Sequence, residues 1–390
     1  MKRNDCGSKI SNFDSVITIG TYTNACSIVW GIRKIGFTGS VIMIDPNVDQ
    51  AKSMAEVIMR GETVVKKKID DLNAIVNLVK SVTKESEKKL ILMTAEEFIE
   101  PIRMAIQKGD LPNTVSFTGS RLDNELIFDR FKFYRFVEAL NCIAVPRTVD
   151  SDCDPKKEFG AEYVIRVNKS WEGNRKLPRL EIVHSEEEAQ KVEASFISQG
   201  LTRDMWSYQE LLSTKDTHNV SVCGWYDLEF KQFVVTRKVL QHPPKTGNGD
   251  VVETFSDVPE KLLTATEAIL KALDYVGAFE MEFVFDENTN CFKLIELNPR
   301  FWMQHGLIEE VTDYTLLRRA LGMPINQEIP MDQIKHRYWI NGLQALYRLA
   351  KGQVVLFRYM TNGKCYPSLM KSAKWALYYG KYKKAMNGQH

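Results

Sequence analysis

The stretch from Gly277 to Trp302, GAFEMEFVFDENTNCFKLIELNPRFW, constrains the fold more than any other part of the chain. Two runs of alternating apolar and polar residues flank Asp286-Glu287-Asn288, the pattern of a β-hairpin. Strand side chains alternate between faces. Glu280 and Glu282 therefore leave one side of the first arm, while Phe279, Met281 and Phe283 take the other. In the second arm Glu296 and Asn298 share a face, with Phe292 and Leu294 preceding them on it. Pairing the arms brings Glu282 towards Glu296 and Asn298. Carboxylates and an amide on an otherwise apolar ladder are poorly solvated unless something binds them. Oxygen donors at the end of a strand suit a hard cation such as magnesium. The plain alternative, an exposed polar strand face, gives no reason for the abrupt stop at Asn298-Pro299-Arg300.

Upstream, DSVITIG followed by NACSIVWGIRKIGFTGSVIMID reads as strand, helix, strand, and KKLILMT supplies a further buried strand. A dinucleotide fingerprint would need G-x-G-x-x-G after the first strand, but Gly20 is followed by Thr21-Tyr22-Thr23. The run NELIFDRFKFYRFVEAL is helical in pattern, with Leu126, Phe133, Phe136, Val137 and Leu140 as its apolar positions, and AVPRT ends it. GAEYVIRVN is strand-like, KSWEGNRKLP a mobile loop, and SEEEAQKVEASFIS a capped helix. The strand patterns WSYQELL, HNVSVCGWYD and QFVVTRKVLQH follow, then a Gly/Pro-rich break, PPKTGNGD, and the helix PEKLLTATEAILKALDY. The chain thus opens as α/β and continues as α+β.

A length of 390 residues accommodates two or three subdomains. With 44% hydrophobic and 26% charged residues, and no run of 18 apolar ones, the composition is that of a soluble globular protein without a spanning helix. The polar start, MKRNDCGSKISNFDSV, argues against a secretory signal. The seven cysteines show neither pairing motifs nor metal spacing, as expected of reduced cytosolic thiols. Charge is uneven. From Met331 onward there are eleven Lys or Arg against one acid, Asp332, a net of about +10, which leaves about −8 on residues 1–330. Ten aromatics accompany those cations, in HRYWINGLQALYRLAKGQ, MKSAKWALYYGKYKKAM and the residues between them. Such stretches suit a peripheral place on an anionic membrane surface, or an acidic protein partner. The plain reading is a helical extension packing its apolar face on the acidic body. No nucleic-acid module is present, and no nucleic acid is expected as a partner.

The order EMEF…LIELNPRFW resembles the metal-binding signature of ATP-grasp enzymes, and the resemblance runs over roughly residues 14–325. It implies an ATP-grasp fold: a βαβ pre-grasp domain (1–118), an N-lobe (119–200), a C-lobe with the metal site (201–330) and the basic helical extension (331–390). It implies Glu282, Glu296 and Asn298 as ligands of one or two Mg²⁺, and Arg300 as a phosphate or acyl-phosphate contact. YQELL resembles the hinge strand that binds adenine, through backbone groups around Gln209 and Leu212 and the side chain of Glu210. Asp216 falls where such enzymes hold the ribose. VVTRKVLQHPP resembles the strand that brings a basic residue to the phosphates and substrate; Arg237 is the first candidate there and Lys238 the second.

Within the superfamily the chain is most similar to carboxylate–amine ligases of the D-aspartate ligase and amino-acid ligase type, and to the half-subunit of carbamoyl-phosphate synthase. The implied activity is ATP-dependent joining of a carboxylic acid to an amine through an acyl phosphate. The alternatives are activation of bicarbonate, and a regulatory nucleotide-binding protein without turnover. One departure stands out: Arg130 and Arg166 occupy positions where the family usually has lysine, and a planar guanidinium does not replace a point charge. Lys132 or Lys169 would then take over the phosphate contact, under a loop whose only glycine is Gly173. His305 lies just past the motif, within reach of a substrate, but with no partner in sight it reads as an ordinary surface or core histidine.

Overall fold

The computed structural model describes residues 11–48, 51–59, 61–120, 125–172, 175–242, 247–325 and 327–387. Gly173 and the prolines at 243 and 244 lie outside the described residues. Strands β1 (Ser15–Ile19), β2 (Ser40–Asp45), β3 (Thr63–Lys66), β4 (Lys89–Met93) and β5 (Val115–Phe117) form a parallel sheet ordered β3-β2-β1-β4-β5. β1 and β4 are buried along their whole length, as expected when helices cover both faces. Val16, Leu90 and Leu92 meet Ile28, Val29 and Ile32 of helix α1 (Thr23–Lys34). Ile17, Ile19 and Ile91 meet α2 (Ala74–Ser81) and α3 (Ile99–Gln107) on the other side. The turn from β1 into α1 needs Gly20: its φ is +119°, and a Cβ would collide with Thr94 Oγ1.

The second unit is an antiparallel sheet of β6 (Thr148–Asp150), β7 (Tyr163–Val167), β8 (Leu180–Val183) and β9 (Trp206–Glu210), ordered β8-β7-β9-β6. Helix α4 (Arg130–Leu140) precedes it in the chain, and α5 (Glu186–Ser198) packs Ala189 and Phe196 onto it. Ser185 caps α5 by accepting the Glu188 amide hydrogen. β9 pairs with β7 and β6, so this unit reaches Glu210 rather than ending at residue 200. The loop after β7 also differs from expectation: Trp171–Glu172 pairs with Arg175–Lys176.

The largest sheet is ordered β14-β13-β10-β11-β12-β15-β16, from β10 (Asn219–Tyr226), β11 (Lys231–His242), β12 (Asn248–Thr254), β13 (Tyr275–Asp286), β14 (Cys291–Asn298), β15 (Tyr338–Asn341) and β16 (Gly363–Tyr366). Val220, Val222, Phe279, Met281 and Phe283 pack under α4 and α6 (Glu260–Ala272). On the opposite face Cys223, Val234 and Ala278 join the core of the parallel domain, together with Phe301, Trp302 and Ile308, the last from α7 (His305–Val311). The two domains thus share one apolar cluster, and the carboxylate-bearing face lies beside it.

The extension is not purely helical. It supplies β15 and β16 to the large sheet, and Arg348 of α8 (Gly342–Ala350) pairs with Asp250 at 2.6 Å. The terminal helix α9 (Leu369–Asn387) turns Trp375 and Tyr378 onto the shared cluster and leaves Met370, Leu377 and Tyr379 exposed. Among the described residues no helix is long and apolar enough to cross a membrane.

Candidate active site

Strict alternation in the second arm is broken. Glu282 lies opposite Glu296, but Phe283 lies opposite Leu294, so Ile295 is an extra residue, a β-bulge. The Tyr134 hydroxyl of α4 donates to Ile295 O at 2.9 Å and holds the bulge. Its consequence is a change of face. Leu294, expected beside Glu296, turns into the core opposite Phe283, and Phe292 packs on that same side. Lys293 moves to the acidic side instead. There its ammonium meets Glu210 Oε1 at 2.7 Å and Asp286 Oδ2 at 3.1 Å. This lysine ties the end of strand β9 to the hairpin, a link that alternation alone concealed. The hairpin turn itself spans residues 287–290, with Asn290 left-handed at φ 50°.

Glu280 faces Asn298 as Glu282 faces Glu296. The Asn298 amide nitrogen lies 3.2 Å from Glu280, 3.4 Å from Glu296 and 3.5 Å from Glu282. Lys238 donates to Glu282 at 2.6 Å, and Arg130 to Glu296 at 2.8 Å. Burial pushes the Glu280 carboxyl up to about 8, reinforced by Glu282 and opposed by Lys238 and Arg300. Burial acts on Glu296 in the same direction, but the Arg130 guanidinium, with Arg166 and Arg179 behind it, holds that carboxyl well below the usual range.

Among the described residues no three His, Cys, Asp or Glu side chains form a ready coordination cage. Magnesium does not require one. It commonly uses one or two carboxylates, with substrate phosphates and water completing the octahedron. Glu282 and Glu296 with the Asn298 amide fit that demand once the amide turns its oxygen inward. In the present arrangement Lys238 and Arg130 neutralise the two carboxylates.

Three arginines converge here. α4 starts at Arg130 because Asp129 breaks the expected single helix and caps the new one through the Lys132 amide. Arg166 projects from β7 and is buried, and burial followed by the nearby Arg130 charge works against its protonated form. Arg300 donates to Asn298 Oδ1 at 3.1 Å. Each of the three keeps a buried Nε–H without an acceptor. Buried donors are rarely left so unless a ligand completes them. Lys132 and Lys169 instead both pair with Glu125 near the surface.

Of the residues expected at adenine and ribose, Gln209 is buried in β9 with Oε1 unpartnered, and Leu212 follows half-buried. Asp216 opens a short 3₁₀ turn, Asp216–His218. Glu210 is engaged by Lys293.

Arg237 is a correction. It lies on the opposite face of β11 from Lys238, paired with Glu253 at 2.5 Å and stacked 4.1 Å over Phe255. The first and second candidates therefore exchange places, and Lys238 is the cation at the carboxylates. A further carboxylate near Arg300, not singled out by the sequence, is Glu97 in the short turn after β4. It is half-buried, its carboxyl raised by burial and opposed by the Arg300 charge. His305 is a core residue: its ring bonds to Trp302 O at 2.7 Å, and burial lowers it to about 4.

A family model described as carbamoyl-phosphate synthase L chain, ATP binding domain, matches residues 253–331. The arginine-specific large chain of carbamoyl phosphate synthase from Cutaneotrichosporon cutaneum is 24% identical over 208 residues, 47% of this chain. The chain spans only 16% of that relative. Among solved structures, N5-carboxyaminoimidazole synthetase from Staphylococcus aureus complexed with ADP superposes with a TM-score of 0.65 at 14% identity, over 87% of this chain and 85% of that one. The biotin carboxylase domain of the Hydrogenobacter thermophilus 2-oxoglutarate carboxylase, in complex with MgADP and bicarbonate, gives 0.62 at 17% identity over 84% and 73%. The fold is that of the ATP-grasp superfamily.

Proposed function

We propose that this ATP-grasp chain is an ATP- and Mg²⁺-dependent ligase that joins a carboxylic acid to an amine through an acyl phosphate. The observation that carries the reading is the set of buried, acceptorless Nε–H groups on Arg130, Arg166 and Arg300 beside a row of carboxylates. A polyphosphate supplies the missing acceptors, and a magnesium ion held by Glu282, Glu296 and Asn298 would neutralise its charge. Little covalent work falls to the protein in phosphoryl transfer, so positioning and charge carry it.

The sequence of events follows from the atoms. A substrate carboxylate oxygen attacks the γ-phosphorus as the bond to the ADP oxygen breaks. The amine nitrogen then attacks the acyl carbon, phosphate leaves, and the nitrogen gives up a proton. Arg130 and Arg166 steady the phosphates, and Lys238 and Arg300 steady the transferred group. Glu97, which follows β4 and feels the Arg300 charge, is the carboxylate that would take the amine proton.

A second reading is that the acid is bicarbonate. The names of the relatives favour it, since they include carbamoyl phosphate synthases and biotin carboxylases. The test is ADP and phosphate release in the presence of Mg²⁺ with a panel of carboxylic acids, bicarbonate among them, crossed with amines and ammonia. Release that requires both an acid and an amine supports the ligase. Dependence on bicarbonate selects the second reading. Nucleotide binding without release under every pairing overturns both and leaves a regulatory protein.

The extension supports a proposal about where such an enzyme works. Six of the ten exposed large hydrophobic side chains among the described residues lie between Tyr347 and Tyr379, within the segment of about +10 charge. Charge and apolar exposure together favour docking on an anionic bilayer.

A further inference from the structure

A cavity of about 310 Å³ lies away from the carboxylate row, where α1, α7 and the extension meet. It reaches the lower end of the range typical of small-molecule sites. Gly306 permits the close approach of α7, since a Cβ there would lie 3.0 Å from Tyr366 and 3.3 Å from Ser27. The walls are Trp30 and Tyr366, and Ser27, Lys34, Glu309 and Lys371 give the cavity its polar character.

Two features of this lining call for a ligand. First, Ser27 Oγ and Glu309 Oε1 are buried and have no hydrogen-bond partner, although both residues are more than nine-tenths buried. A buried polar atom that loses its water and gains no partner destabilises the folded chain. Second, the cations outnumber the anions. Lys364 is paired with Glu310, but Lys371, stacked 4.0 Å over the Trp30 ring, and Lys34 have no ion pair among the described residues. Burial raises the Glu309 carboxyl to about 8, so near neutral pH it brings a proton to donate rather than a charge.

We infer that this cavity is a binding site for a small oxyanion, a phosphate or carboxylate compound, whose charge is met by Lys34 and Lys371 and whose neighbouring oxygens reach Ser27 and Glu309. α7 follows within seven residues of Asn298, and the opposite walls belong to α1 and to the extension. A bound anion therefore bridges three parts of the molecule, one of them continuous with the carboxylate strand. The inference does not depend on which acid or amine the enzyme uses.

The test uses inorganic phosphate and citrate as probes, by calorimetric titration of the full chain saturated with Mg²⁺ and ADP so that the nucleotide site is filled. The expected result is saturable binding of at least one anion. Its Kd should rise tenfold or more in Lys34→Ala/Lys371→Ala and be retained in Lys34→Arg/Lys371→Arg and in Arg166→Ala. Preference for phosphate or for citrate identifies the oxyanion class. Circular dichroism checks that the variants fold, and the single substitution Lys371→Gln decides the matter if the double alanine variant does not. Absence of binding by both anions overturns the proposal. So does binding unchanged in the lysine variants, and so does binding lost in Arg166→Ala, which would place the anion at the nucleotide site.

Discussion

Arg130 and Glu296, 166 residues apart in sequence, form a partly buried ion pair at 2.8 Å that joins the first turn of α4 to the bulged strand β14. Arg166 lies close enough to act on both charges yet bonds to neither. The two arginines are therefore chemically alike but energetically opposite, and this difference can be measured.

Removing one partner of a buried pair strands the other charge, at a cost of about 3–5 kcal/mol, and a partly buried pair lies towards the lower end of that range. Arg130→Ala is expected to lower stability by that order in urea unfolding. Arg166→Ala removes a buried, unpaired charge and should leave stability unchanged or raise it. It should weaken ATP binding ten- to a hundredfold, the value of a charge-assisted hydrogen bond of roughly 1.5–3 kcal/mol. Comparable destabilisation by both variants would refute the distinction.

Glu296→Gln retains the shape of the side chain and removes the charge that the candidate metal site depends on. ADP formation should fall at least a hundredfold, with the circular dichroism spectrum unchanged. Full turnover with unaltered Mg²⁺ dependence would rule out the site.

Lys238 and Arg237 are neighbours in sequence on opposite faces of β11. Lys238→Ala is expected to cut ADP formation by about 10²–10³, the usual cost of one electrostatic donor at a reacting centre. Arg237→Ala should stay within about threefold, because its partners are Glu253 and Phe255. The reverse ranking in steady-state assays would restore Arg237 to the site.

Glu309 titrates near 8 in the folded chain and near 4.5 when unfolded. Between those values the unfolded state has released a proton that the native state still holds, so stability falls as pH rises. His305 has the opposite sign, but its window lies between about 4 and 6.5. Glu309→Gln should therefore gain on the parent protein between pH 6.5 and 8.5 in parallel denaturation curves. A constant difference across that range would contradict the assignment.

Membrane docking is read by sedimentation with anionic and neutral vesicles. Binding should be confined to anionic vesicles and weakened by salt, since exposed charges are screened within about 10 Å at 0.1 M. Leu377→Glu combined with Lys374→Glu and Lys381→Glu should abolish it, each of these residues being exposed on α9. Truncation at Pro330 is a poor test, because β15 and β16 complete the large sheet. Failure of the full chain to pellet with anionic vesicles at low salt would end the proposal.

Much of this protein is determined by its sequence alone. The buried runs of β1 and β4, the capped helix after Ser185 and the paired acids of the hairpin follow from local rules, because each depends on the residues' own periodicity and on neighbours a few positions away. What only the tertiary structure decided has a common physical reason. Alternation tells which side chains share a face but not which face meets which element, and a single extra residue reverses the answer. The bulge at Ile295, held by Tyr134 of a distant helix, sends Leu294 to the core and Lys293 to Glu210. The pairing of β11 with its neighbours puts Lys238, and not Arg237, at the carboxylates. Asp129 could break the helical pattern and point Arg130 at Glu296 only because β14 stood where its first turn ends.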